Sequence, residues 1–153
     1  MSGLWGWWRP VSGRRLELME TVPLFAGLGR AQLTLLSAYL DEVEVEPGRT
    51  LVREGQANGA FWILVQGEVE VSIAGRRRRI LGPGDFFGAT SMLDGRAAVA
   101  TATTRTPIRA LVASPAQFLA LESNETVARR LRIAALERMR EYLEVTQRPP
   151  AAA

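Results

Sequence analysis

The 153-residue sequence predicts one mainly β domain with helices at both ends, of sandwich, barrel or jelly-roll type. Two observations carry this. From Asp41 onward, short apolar runs alternate with glycine turns at nearly regular spacing. Outside that stretch, apolar residues return at helical intervals instead. The length suits a single domain, and a hydrophobic content of 47% is too high for a disordered chain.

Taken in order, residues 1–13 form a separate Trp-rich lead with Trp5, Trp7 and Trp8, then Pro10 and Gly13. Residues 14–21 suit a short helix that Pro23 breaks, since proline pushes its predecessor out of the helical region. Residues 31–40 read as a helix with Leu33, Leu36 and Leu40 on one face. Strands follow at Val43 and Val45, Leu51-Val52, residues 61–65, Val69-Val71-Ile73 and Ile80-Leu81. Val69, Val71 and Ile73 alternate with Glu68, Glu70 and Ser72, which gives that strand one wet face. After a break at residues 88–95, strands are expected at 99–103 and 108–112. Ser114-Pro115 opens a short helix through Leu121. Ser123 or Asn124 caps a final helix, with Val127, Leu131, Ala134-Ala135, Met139 and Tyr142-Leu143 along one face. That helix ends near Val145, ahead of Pro149-Pro150. The domain then covers residues 14–146, and 147–153 form a flexible tail.

Composition removes most chemistry. Without cysteine or histidine there is no disulfide, thiolate, zinc site, Ser-His triad or histidine base. No paired-carboxylate motif stands out, so neither a metal site nor catalysis is expected. All 19 basic residues are arginine, which rules out a P-loop and its lysine. The net charge of +3 is too mild to argue for DNA. There is no membrane-length apolar run and nothing that reads as a signal peptide, so a cytoplasmic protein is expected.

Three stretches resemble the cyclic nucleotide-binding domain family. Val22-Pro23-Leu24-Phe25-Ala26-Gly27-Leu28 is similar to its opening motif. Gly55 through Gly67, with Phe61-Trp62-Ile63-Leu64 and then Gly67-Glu68-Val69, is similar to its central hairpin. Leu81-Gly82-Pro83-Gly84-Asp85-Phe86-Phe87-Gly88 is similar to the approach to its phosphate-binding cassette. The resemblance implies the family's jelly-roll β-roll with helices on either side. It also implies a cassette helix at residues 90–93, with backbone amides toward the cyclic phosphate. Phe87, Gly88, Thr90 and Ser91 fall at cassette positions.

The cassette departs from the family pattern F-G-E-x-x-L-L-x-x-x-P-R-S/T-A-T. Laid over Gly88 without a gap, Ala89 stands where the resemblance implies the ribose-binding glutamate. Ala98 stands at the phosphate-binding arginine and Val99 at the hydroxyl, while Ala100-Thr101 restore the closing A-T. Removing the partner of a buried charge costs about 3–5 kcal/mol. Ordinary cAMP or cGMP recognition is therefore expected to be lost or badly weakened, with no cofactor. Arg96, two residues before Ala98, reads as a solvated turn residue; the alternative is a stand-alone sensor in which it swings to the phosphate. A third reading gives the apolar pocket a less charged ligand.

Other features point to partners. Trp5, Trp7 and Trp8 either fold back on the domain, dock on another protein chain or make shallow contact with a membrane surface. The arginine run 76–79 reads as a solvated hairpin, with half its side chains on each face, or as contact with an acidic partner. Family transcription regulators carry a helix-turn-helix after the last helix, and none follows here, so DNA binding by this chain alone is not expected. The expectation is a non-catalytic regulatory or protein-interaction module, with another chain or a second copy as partner.

Overall fold

Glu44 and Val45 point to opposite sides of one strand, and that two-residue period assigns each strand its buried face. The computed structural model describes residues 8–10 and 14–147. Helix α1 (Arg15–Glu20) leads through a 3-10 turn (Pro23–Phe25) to helix α2 (Arg30–Ser37). Nine strands contribute to the roll: β1 (Trp8–Pro10), β2 (Asp41–Val45), β3 (Thr50–Val52), β4 (Phe61–Gln66), β5 (Val69–Ile73), β6 (Arg76–Leu81), β7 (Phe86–Phe87), β8 (Thr101–Thr104) and β9 (Ile108–Ala113). Helix α3 (Ala89–Asp94) lies between β7 and β8, and α4 (Pro115–Glu122) and α5 (Glu125–Gln147) follow β9.

The strands form two sheets, in the orders β1-β2-β9-β4-β7 and β3-β8-β5-β6, and every pairing is antiparallel. This is the jelly roll expected from the sequence. Between the sheets lies a core that includes Trp62, Leu64, Val69, Leu81, Ala110 and Val112. The outer face of the five-stranded sheet carries Phe61, Ile63, Leu111 and Ala113, which pack against Met19, Phe25, Leu36, Phe118, Leu121 and Leu131 of the helices. Strand β4 is thus covered on both faces. That is why it reads as the unbroken apolar run Phe61-Trp62-Ile63-Leu64 and not as an alternation.

The last two helices start at side-chain caps. Ser114 Oγ accepts from the Gln117 amide at 3.2 Å, while Gln117 Oε1 accepts from the Ser114 amide at 2.8 Å, a reciprocal capping box. Asn124 caps α5, its Oδ1 accepting from the Val127 amide at 3.1 Å.

Several expectations need correction. Helix α2 stops at Ser37, and Leu40 reaches the core from a following turn closed by its amide on the Ser37 carbonyl at 3.3 Å. The strand expected at 99–103 begins at Thr101, and Val99 is 48% exposed. Chain pairing with β3 and β5 starts only there, because Ala98 spends its amide and carbonyl on the turn at Gly55 and Gln56. Strand β6 extends back through the arginine run to Arg76. Helix α5 buries Val127, Ala128, Leu131 and Ala135, but Met139 and Leu143 are exposed, because the second half of the helix runs past the helical core. Trp8 opens β1, whose backbone pairs with β2 as Trp8↔Val45; Trp5 and Trp7 lie outside the described residues. Among the described residues no helix is long and apolar enough to cross a membrane, and no cluster of acidic side chains could hold a metal ion.

Candidate ligand-binding site

The sequence Gly82-Pro83-Gly84-Asp85 makes a tight turn, with Asp85 Oδ2 accepting from the Gly82 amide at 2.9 Å. Leu64 fixes the turn to β4: its amide donates to the Asp85 carbonyl at 2.8 Å and its carbonyl accepts from Gly84 at 2.8 Å. The chain then passes through β7 to Gly88, at φ +92°. A Cβ there would lie 2.6 Å from the Ala60 carbonyl oxygen and 2.8 Å from Asn58 Nδ2, so the position requires glycine. Asn58 Nδ2 donates to the Gly88 carbonyl at 3.0 Å and Asn58 Oδ1 accepts from the Ala60 amide at 3.1 Å. One side chain thus couples the loop before β4 to the start of α3.

Helix α3 coincides with the expected cassette helix and extends it by one residue at each end. Its Gly95 terminus is left-handed, and the Gly95 amide donates to Ser91 O at 2.9 Å. A cavity of about 50 Å³ opens between α3, the residues that follow it, the inner face of the four-stranded sheet and α5. Phe87, Gly88, Thr90, Ser91, Ala98 and Val99 all line it. Ala89 does not; it is buried in the helical core, 2% exposed. Ala98, in the arginine's place, is buried in the core of the roll. Its amide donates to Gln56 O at 2.9 Å and its carbonyl accepts from Gly55 at 2.8 Å, which locks the segment in register.

Arg96 lies elsewhere. Its side chain is exposed and borders a separate groove with Met92, Pro115, Phe118 and Leu119, while its amide donates to Asp94 Oδ1 at 2.9 Å.

The sequence reading missed the positive charge that the cavity does have. Arg79 of β6 and Arg138 of α5 line it, with Tyr142 one helical turn beyond Arg138. Arg79 pairs with Val71, an inward position of β5. The register then shifts between Val71 and Ser72, which pairs with Arg77. This irregularity separates Arg79 from the rest of the arginine run, and simple alternation would not locate it. Arg79 Nη1 lies 3.7 Å from Glu141 Oε2, bridging β6 to α5. Arg138 places its guanidinium carbon 5.2 Å from the centre of the Phe86 ring. Among the described residues the Arg138 side chain makes no ion pair or hydrogen bond. Burial pushes its pKa down, opposed by Tyr142, Asp85 and Glu141 and reinforced by Arg79. Burial likewise pushes the Tyr142 phenol up, and the two arginines pull it back. The first half of α5 is tied down separately, because Arg130 Nη1 donates to Leu24 O at 2.9 Å.

The model of the cyclic nucleotide-binding domain matches residues 42–125. A cAMP-dependent protein kinase regulatory subunit of Yarrowia lipolytica is 32% identical over 93 residues, which cover 60% of this chain and 25% of that protein. A cyclic nucleotide-gated potassium channel of Rhizobium etli is 33% identical over 127 residues, covering 82% of this chain and 35% of the channel. The chain thus spans about a third of these relatives' length or less. In fold, it superposes with a TM-score of 0.75 on the regulatory subunit of a cAMP-independent protein kinase A from Trypanosoma brucei, at 23% identity, covering 87% of this chain and 50% of that one.

Proposed function

Because the chain belongs to the cyclic nucleotide-binding domain family, we propose that it is a non-catalytic regulatory module in which ordinary cAMP or cGMP recognition is lost or weak. The output of the module is contact with another protein chain in the cytoplasm. The observation that carries this reading is the apolar cassette. Ala98 and Val99 meet the cavity where the family pattern has an arginine and a hydroxyl, and Ala89 replaces the glutamate. A cyclic phosphate held there keeps its desolvation cost and loses its counter-charge.

Isothermal titration with cAMP and cGMP, beside the Arg96→Ala variant, tests it. Binding no tighter than about 0.1 mM is expected. Low-micromolar binding that Arg96→Ala abolishes would instead make the chain a sensor that uses Arg96. The partner half is tested by purification from the native source: a stoichiometric second chain supports it, and a strictly monomeric protein counts against it.

A further inference from the structure

We infer that the cavity reads the negative charge of its ligand from the wall opposite the cassette, through Arg138 of α5 and Arg79 of β6. The ligand class is a small organic monoanion with an apolar or aromatic body. This rests on the reading that the cassette no longer supplies a cation.

The lining contains two guanidinium groups and one carboxylate, Asp94. Asp94 already uses Oδ1 on the Arg96 amide at 2.9 Å. Arg79 has a distant carboxylate partner in Glu141, at 3.7 Å and half exposed on both sides. Arg138 has a ring beneath it and no anion in contact among the described residues. A half-buried guanidinium with Asp85 and Glu141 near but no carboxylate in contact retains donors for an incoming phosphate or carboxylate, and it presents them in a planar fork. Between the two walls lie Val52, Val71, Leu81 and Phe87, which suit an apolar body. The arrangement also links binding to the helix. An anion on Arg138 and Arg79 joins α5 to β6, the same two elements that Glu141 joins now.

The test uses the whole chain and two probes that differ in charge: cAMP, and adenosine as its neutral counterpart. Titrations at low ionic strength are run on the native chain and on Arg138→Gln, Arg138→Lys, Arg79→Gln and Arg96→Ala. Thermal melting confirms that each variant folds. The native chain is expected to prefer cAMP over adenosine by about tenfold or more. Arg138→Gln removes that preference, Arg79→Gln reduces it, and Arg138→Lys keeps part of it. Arg96→Ala leaves it within about twofold. The inference is overturned if adenosine binds as well as cAMP, if neither binds at about 10 mM, or if the preference follows Arg96. Should Arg138→Gln fail to fold, Arg138→Lys and Arg79→Gln decide: full preference in both overturns the inference. The proposed weakness of cyclic nucleotide recognition stands or falls separately, on whether native affinity is low-micromolar.

Discussion

The wall formed by residues 88–102 offers the cavity alanines, a valine, the hydroxyls of Thr90, Ser91 and Thr101 and one carboxylate, Asp94, whose Oδ1 is taken by the Arg96 amide. The wall facing it, from β6 and α5, offers two guanidinium groups and a phenol. The first wall comes from one contiguous stretch, a turn, a six-residue helix and a short strand, tied to residues 55–58 and to β3 and β5. The second is assembled from elements far apart in sequence and depends on the placement of α5. Both guanidinium groups sit on the wall that includes α5, so a shift of that helix would move Arg138 and Tyr142 relative to the cavity.

The largest disruption of this contrast comes at the start of the first wall. Gly88→Ala forces a left-handed alanine against the Ala60 carbonyl and Asn58. It should cost about 3 kcal/mol, read as a lower urea midpoint at unchanged slope. Moving charge to the cassette wall is the next test. Ala98→Arg should raise cAMP affinity by about tenfold or more by calorimetry. It should also lower the melting temperature without ligand, since Ala98 is 8% exposed and an unpaired arginine there is costly. Recovery of the melting temperature on adding cAMP would tie the two effects together.

Smaller effects probe the helix wall. Phe86→Leu removes the ring beneath Arg138 and should cost about 1 kcal/mol, most of which disappears in a double-mutant cycle with Arg138→Met. Glu141→Gln breaks the Arg79 bridge and should cost below about 1 kcal/mol, shrinking further with added salt, because both side chains are half exposed. Tyr142 gives the mildest signature. Its folded pKa is raised, so the protonated phenol is favoured in the fold. The stability it contributes is complete below the ordinary phenol value of about 10 and is lost as pH rises through the higher folded value. Tyr142→Phe should therefore flatten the alkaline fall in a pH series of urea midpoints.

Much of this was legible in the sequence. The roll, its turns and the cap of each terminal helix follow from glycine placement, strand alternation and side-chain caps at Ser114 and Asn124, all of which act within a few residues. The apolar cassette was legible for the same reason, because Ala89, Ala98 and Val99 keep the motif's own spacing. Arg96 shows the limit of such reading: the sequence left it either a solvated turn residue or a phosphate ligand beside Ala98, and the turn after α3 directs it, exposed, to the neighbouring groove. The apolar face assigned to the end of α5 failed because periodicity marks a stripe but not how far the core beneath it extends.

By itself, then, the sequence determined the β-roll, the helices that bracket it and the apolar residues at positions 89, 98 and 99, since turns, strand alternation, caps and motif spacing are each written within a few residues. Only the tertiary structure decided that Arg79 and Arg138 share one cavity. That convergence depends on a register shift between β5 and β6 and on the docking of α5 through Arg130, Val127 and Leu131. The first is an irregularity inside one hairpin that strand alternation does not reveal, and the second is long-range packing that no pattern around Arg138 specifies.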